Sequence, residues 1–375
     1  MDTITHALLG AVTAQLGFRQ RIGRDATWVA VAAAMSPDLD IFAGPLLAAA
    51  GFDVAHLGHM AAHRGLSHSL LASPVIAAPI AAAWWWLRRR RERGRTAAAT
   101  AGAPAARAVP FWLLYLCVFL AEVTHPLIDW CTAYGTELLA PLSDARYALN
   151  VVPIVDIFYT PLLVLTLLAC FVVRKVGRGP MIKATLAIGW TGFCLSLGYL
   201  CAGEVLRERT ISDASRLAAL FEPEPQSRRP AAVVRAEAYP ALGSILLWRA
   251  VVETDGGWVA VGIRPIGGAV TGVETARKQD SPWVERALDL PAVRKYGWFA
   301  MGWVRAAESR QDGRHVVELH DMRYSLRPDG LESLWPLQVT FGEAGEVVSV
   351  RSLSTYPGED RWQFIRRTWR DIWGE

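Results

Sequence analysis

Ala62-His63-Arg64-Gly65-Leu66-Ser67-His68-Ser69 runs directly into an uncharged stretch, Leu70 to Leu87, that closes in Trp84-Trp85-Trp86 and is followed by Arg88-Arg89-Arg90-Arg91. An apolar run ended by an aromatic belt and a dense basic cluster reads as a transmembrane helix whose basic end is cytoplasmic. The two histidines and the arginine then fall at the opposite membrane boundary, where ionisable side chains are costly unless something uses them.

The composition agrees with a membrane protein. Of 375 residues, 52% are hydrophobic, which is high for a soluble chain of two-domain length. The net charge of +4 is small, and the basic residues sit in short clusters between apolar runs instead of forming a stripe, so no direct nucleic-acid binding is expected. All five cysteines lie in or beside apolar segments, without Cys-x-x-Cys spacing, which excludes a disulfide framework and a thiolate zinc site. The N-terminal Met1-Asp2-Thr3-Ile4-Thr5-His6 carries an acid where a secretory signal has its positive region, so it is expected to be retained.

Thr3 to Phe18 and Ala26 to Met35 are apolar runs separated by Arg19, Arg21 and Arg24. Each is shorter than the roughly 20 residues a straight span needs, which suggests a short, tilted or re-entrant hairpin. Pro110 to about Trp130 goes back across and carries Glu122, His125 and Asp129 toward its far end. Ile157 to Val173 ends at Arg174-Lys175-Val176-Gly177-Arg178, and Ala184 to Gly203 is a final uncharged run. From Glu204 the chain turns to mixed charge, with strand-like Ser244 to Val252, the turn Asp255-Gly256-Gly257, strand-like His315 to Leu319 and Leu337 to Phe341, a helix near Pro282 to Tyr296 and an amphipathic Arg361 to Trp373. The expected fold is an all-α multi-pass membrane helical domain, residues 1–204, followed by a small α+β soluble domain, residues 205–375, on the extracytoplasmic side.

With the arginine clusters at 19–24, 88–95 and 174–178 all cytoplasmic, His6, Asp38, Asp40, His63, His68, His125 and Asp129 share the outer face. His125 and Asp129 are four apart on a helix, one turn on the same face. Asp2 and His6 repeat that spacing in reverse, and Asp38 and Asp40 flank a turn after Pro37. His56 and His59 read as loop residues, although His59 and His63 also have the i,i+4 spacing. His315 and His320 read as surface or strand residues of the second domain. A lone His-x-x-x-Asp is more often a hydrogen-bonded pair than a metal site; convergence of the set is what favours a metal. Imidazoles and carboxylates without a thiolate suit zinc, with manganese or iron as alternatives, and the inventory is large enough for two ions. Arg64 offers bidentate hydrogen bonds to a phosphate. Arg64 and Asp40 are the residues assigned to catalysis, while spacing leaves open which carboxylate bridges metals or acts as base.

Asp2-x-x-Thr5-His6, Pro37-Asp38-Leu39-Asp40, His63-Arg64-Gly65-Leu66-Ser67-His68-Ser69 and Thr124-His125-Pro126-Leu127-Ile128-Asp129 together resemble the YdjM-type membrane-bound metal-dependent hydrolases of bacteria. Leu139-Ala140-Pro141-Leu142-Ser143-Asp144 and Asp156-Ile157-Phe158-Tyr159-Thr160 extend the resemblance over about the first 170 residues. It implies an inner-membrane hydrolase without naming a substrate; a description of the family as LexA-binding connects to no residue here. The pattern is more distantly similar to the zinc-dependent phospholipase C and single-strand nuclease superfamily. The expected activity is hydrolysis of a lipid or lipid-linked phosphoester at the outer face of the cytoplasmic membrane, with membrane lipids as surroundings. The alternative is a non-enzymatic membrane scaffold with a structural metal and a C-terminal domain that binds a protein partner. A transporter would need its ligands near mid-membrane.

Overall fold

The computed structural model describes residues 1–42, 63–98, 109–176, 181–220, 232–241 and 243–354, with 366 and 370. His56, His59 and nearly all of the amphipathic stretch 361–373 lie outside the described residues. The chain divides into two compact units, residues 1–149 with 157–200, and residues 150–156 with 201–375.

The first unit is helical. Its elements are α1 (Thr3–Gln15), α2 (Phe18–Ile22), α3 (Asp25–Met35), two 3-10 turns (Pro37–Phe42 and Leu66–His68), α4 (Ser73–Ala98), α5 (Phe111–Trp130) and α6 (Tyr159–Val176). The last helix, α7 (Met181–Ala218), begins here and continues into the second unit, well beyond Gly203, where the uncharged run of sequence stops. Phe111–Trp130, Tyr159–Val176 and Lys183–Ala218 are long and apolar enough to cross a membrane. Helix α4 is not one of these. The α-helix does not reach back to Leu70 because the Ser69 hydroxyl donates to the Ala140 carbonyl at 2.5 Å and the Leu70 amide to Leu138 O at 3.0 Å. What remains of the apolar run, Ser73 to Leu87, is shorter than the roughly 20 residues of a straight span before the arginines begin.

Helix α1 starts on Asp2, whose carboxylate accepts from the Thr5 amide at 3.0 Å and the Thr5 hydroxyl at 2.5 Å. Asp2 is therefore a helix cap. Helices α1 and α3 lie close together, and small residues make that possible. A Cβ added at Gly10 would meet Ala30 O and Ala34 Cβ at 2.6 Å each. Around them Ala26, Val29, Ala30, Ala33, Leu114, Cys117, Val118 and Ala121 form a buried core with α4 and α5. The basic residues collect at one end: Arg88 donates to Ile22 O at 2.8 Å and pairs with Asp25 at 3.3 Å, while Arg89 and Arg90 lie over Trp85 and Trp86.

The second unit holds two four-stranded antiparallel meanders. The first runs β1 (Val233–Pro240), β2 (Trp248–Thr254), β3 (Gly257–Arg264), β4 (Ala269–Arg277); the second runs β5 (Val304–Gln311), β6 (Arg314–Asp321), β7 (Leu337–Phe341), β8 (Val347–Ser352). Ala214 and Ala218 of α7 pack on Ala250, Val252, Val259 and Val261 of the first sheet. The second sheet is covered by α8 (Pro282–Leu288) and α9 (Pro291–Phe299), through Val284, Ala287 and Val293 against Val317, Leu319, Val339 and Phe341. The single helix expected near Pro282 to Tyr296 is thus two. Pro291 lacks an amide proton and forces Leu290 into extended backbone, φ −68° and ψ 137°, which ends one helix and opens the next. The strand expected from Ser244 begins only at Trp248, with Ser244 to Leu247 in a turn.

Arg249 of β2 is buried and donates to the carbonyls of Met322, Pro328 and Gly330, so a cation in a strand serves as a clamp on the loop after β6. His320 is buried too, and its Nδ1 accepts from the Ser333 amide at 3.2 Å. Burial, reinforced by the Arg305 charge, pushes His320 down to about 3.

Two outcomes follow from this packing. Gly10→Ala in the full chain should lower stability by about 1–3 kcal/mol, read as a lower thermal midpoint in detergent, because the methyl group drives α1 off α3; an unchanged midpoint would deny the close contact. Because the folded His320 pKa lies below its unfolded value, its stability contribution is complete above pH 6.5 and is lost as pH falls toward about 3. As pH falls from 6.5 to 5, the opening free energy of β6 amides, taken from exchange rates corrected for their intrinsic pH dependence, should fall in the wild type with a limiting slope of about 1.4 kcal/mol per pH unit and should be flatter in His320→Gln.

Candidate metal centre

The ends of four helical segments meet at the side of the first unit away from the arginines. The 3-10 turn after α3 carries Asp38 and Asp40, the 3-10 turn before α4 carries His68, α1 carries His6, and the last turn and a half of α5 carries His125 and Asp129. His6, His68, His125 and Asp129 are all fully buried.

The protons in this cluster can be placed from the hydrogen bonds. His125 Nδ1 lies 2.6 Å from Ala34 O, one of the carbonyls that the end of α3 leaves without an intrahelical partner. A carbonyl only accepts, so the His125 proton sits on Nδ1 and its Nε2 presents a lone pair. His68 Nδ1 faces Ser67 Oγ at 3.0 Å and Asp40 Oδ2 at 3.3 Å. The Ser67 hydroxyl donates to that same Asp40 oxygen at 2.7 Å, so the His68 proton belongs on Nδ1 and its Nε2 is a lone pair as well.

These two Nε2 atoms are 2.9 Å apart. Asp38 Oδ1 is 3.6 Å from His68 Nε2 and 3.4 Å from His125 Nε2, and Asp129 Oδ2 is 3.5 Å from each. Asp129 Oδ2 is buried and has no hydrogen-bond partner. His68 Nε2, His125 Nε2 and Asp129 Oδ2 therefore converge on one buried point, with Asp38 Oδ1 at its half-buried edge, an arrangement a cation satisfies. A tetrahedral ion with bonds of 2.0–2.1 Å needs ligand-to-ligand edges of about 3.3 Å, close to the spacings found. His68, His125 and Asp129 form one group that could hold an ion; His6, Asp38 and His125 form a second, and Asp38, His63 and His68 a third. The three overlap, so they describe one connected cluster.

The opposite oxygen of Asp129 is engaged by cations. Arg64 Nη2 lies 3.0 Å from Oδ1, the Met1 amine pairs with the same atom, and His6 Nε2 is 3.3 Å away. That His6 approach lacks hydrogen-bond geometry; the His6 ring instead stacks on His125 with centroids 3.5 Å apart. Arg64 also donates to Thr132 Oγ1 at 2.7 Å and lies 4.7 Å from the Tyr134 ring centroid. Its backbone is left-handed, φ 66°, an uncommon conformation for a long side chain that these contacts hold in place. The guanidinium expected to grip a substrate anion is thus turned inward, onto Asp129.

Asp40 lies one layer out from the four convergent atoms. It accepts from His63 Nδ1 at 2.8 Å, from Ser67 and from the Arg64 amide at 3.3 Å. Burial would raise the carboxyls of Asp38 and Asp40. Hydrogen bonds from His63, from His68 Nδ1 and from Ser67 outweigh it at Asp40 and hold it well below the usual carboxylate range, and Asp38, to which the Thr3 hydroxyl donates, is held low as well. Both are anions at neutral pH.

All seven residues expected from the sequence as ligands are brought to this end of the unit. Sequence spacing did not reveal Thr3, whose hydroxyl donates to Asp38 Oδ2 at 2.7 Å, nor Thr132 and the Ala34 carbonyl. Glu122, one turn before His125, is fully buried with no hydrogen bond to either oxygen. Asp156 lies in the second unit, bridged to Gly243.

The model of the YdjM inner membrane protein family matches residues 1–207, a span that contains every residue of the cluster. The chain belongs to the YdjM inner membrane protein family. No curated protein and no solved structure shows significant similarity to it. Family membership and three membrane-length helices place this YdjM-family chain in a membrane.

Removing the Arg64 charge would leave Asp129 buried with one cation fewer. Arg64→Met should therefore destabilise the helical unit by about 3–5 kcal/mol, measured by thermal or denaturant unfolding in detergent. A loss below about 1 kcal/mol would show that Asp129 does not depend on this partner.

Proposed function

We propose that this chain is a multi-pass, membrane-bound metal-dependent hydrolase that acts on a lipid or lipid-linked phosphoester at the outer face of the cytoplasmic membrane. The observation that carries the reading is the convergence of His68 Nε2, His125 Nε2 and Asp129 Oδ2 at one buried point, with Asp38 Oδ1 within 3.6 Å of both imidazoles. The imidazole and carboxylate donors suit zinc, with manganese or iron also compatible. A divalent ion held there by His68, His125 and Asp129 would keep a fourth position for a water, acidify that water and supply Lewis acidity for the scissile group. The inventory admits a second ion; the overlap of the three groups on Asp38, His68 and His125 favours one.

The surrounding residues have separable tasks in this reading. Asp40 and Ser67 fix the His68 ring, and Ala34 fixes His125, which is how outer partners orient metal-bound imidazoles. Arg64 neutralises one oxygen of Asp129 and leaves the other for the ion. The hydrogen-bonded pair Asp40 and His63, half-buried beside the cluster, is the group we assign to proton transfer. The outer-face placement rests on the separation of the arginines from the His/Asp cluster within the first unit, read through the positive-inside rule. It puts the second unit outside the cell, where it has the surface to meet a protein partner.

The protein purified in detergent should carry a stoichiometric metal ion, lose it on chelation with a fall in thermal midpoint, and lose both metal and phosphoester hydrolysis in His68→Ala. A purified protein without metal, unchanged in stability by chelation, would overturn the reading. The scaffold alternative is favoured by one specific observation: Asp129 Oδ1 and both oxygens of Asp40 are already spent on protein partners that tie four helical segments together. In that case His125→Ala lowers the thermal midpoint while a broad substrate panel shows no hydrolysis.

A further inference from the structure

The residues that carry the cluster alternate with large apolar side chains that face outward. In Pro37–Phe42, Asp38 and Asp40 turn toward the histidines while Leu39, Ile41 and Phe42 are exposed. In Leu66–His68, Ser67 and His68 turn inward and Leu66 is exposed. At the start of α1, Thr3 donates to Asp38 and its neighbour Ile4 is exposed. Five apolar side chains, each within two residues of a group that builds the cluster, stand between 49% and 68% exposed. A mouth that admits a small soluble ester has no use for such residues, and exposed apolar side chains gathered at a site of this kind mark an interaction surface.

We infer that Ile4, Leu39, Ile41, Phe42 and Leu66 form the subsite for the hydrocarbon chain of the substrate, so that the chain class is a long-chain lipid ester whose polar headgroup lies over the His/Asp cluster. This rests on the hydrolase reading above and narrows it. The commitment to a hydrocarbon chain comes from three facts. No charged side chain interrupts the exposed positions of the two turns. The turns pack against each other, which joins Leu66 to the Leu39 side. The same unit presents further exposed apolar residues along a membrane-length helix, Leu165, Leu168 and Phe171 of α6, whose first turn meets α1 where Thr160 pairs with Thr5 at 2.7 Å, so the rim and a bilayer-length apolar helix belong to one unit. Arg64, the cation expected at this mouth, is buried against Asp129 and does not make the rim attractive to a free anion.

The test uses the full chain in dodecyl maltoside, loaded with zinc, and a series of alkylphosphonates from ethyl to dodecyl, with Kd read by calorimetry. In the wild type, affinity should climb with chain length, by up to about fourfold per buried methylene. In Leu39→Asn/Leu66→Asn the climb should flatten while ethylphosphonate binds as in the wild type. Partition of the longer probes into micelles is common to both proteins and cancels in the comparison, and ethylphosphonate binding checks that the variant is folded. Equal slopes in wild type and variant, or no chain-length dependence, would overturn the subsite and leave the hydrolase reading standing. A climb that persists without zinc and in His68→Ala would show a lipid subsite without a metal-centred headgroup site, which removes the hydrolase reading instead. No binding at any length overturns both.

Discussion

The structure of the first unit turns on one carboxylate, Asp129, held in the last turn of an apolar helix with no access to water. An isolated buried charge of this kind is among the most unfavourable features a fold can contain. Here its two oxygens are divided between two environments. One faces the Arg64 guanidinium and the Met1 amine; the other faces two imidazole lone pairs and has no proton donor at all. The first half explains why Arg64 accepts a left-handed backbone and why the loop beyond α5 folds back, with Thr132 and Tyr134 completing the guanidinium's surroundings. The second half is the feature on which the metal proposal rests.

Everything that brings partners to Asp129 is a matter of helix ends. Helix ends leave backbone carbonyls and amides unspent, and this chain uses them: Ala34 O orients His125, and Asp2 caps α1 so that His6 follows in its first turns. The close approach of α1 to α3, made possible by Gly10 against Ala30 and Ala34, is what lets a carbonyl on α3 and a histidine on α1 meet the same ring on α5. The arginines meet at the other end, through Arg88 on Ile22 and Asp25. Apolar middles, basic residues at one end and His/Asp at the other are the pattern expected of a membrane unit whose polar chemistry is confined to a boundary.

Much of this was legible in the chain itself. His125 and Asp129 announce one face by their spacing, and the arginine clusters announce which helix ends belong together, so the membership of the cluster can be read without coordinates. Roles within it cannot. Asp40 and Asp38 are equivalent in sequence, yet one holds histidines from behind and the other faces the convergent point, because a 3-10 turn sets their directions. Arg64 reads as an anion clamp until Asp129 is seen to occupy it. The splitting of α8 from α9 was present in Pro291, whereas the continuation of α7 to Ala218 was hidden by its charged surface, since Ala214 and Ala218 earn their helix by packing on a sheet far along the chain. Helix α4 misleads in the opposite direction: its aromatic and basic end is a clear boundary signal, but hydrogen bonds from the Ser69 hydroxyl to Ala140 O and from the Leu70 amide to Leu138 O shorten the apolar run.

The claim on which the rest depends is that the convergent lone pairs of His68 and His125, with Asp38 and Asp129, surround one metal ion. X-ray absorption at the metal edge of the full-length protein in detergent tests it most directly. The account predicts a four-coordinate N/O shell at about 2.0–2.1 Å, with the outer-shell scattering of two imidazoles and no sulfur. A spectrum without imidazole scattering, or with a thiolate shell, would contradict it.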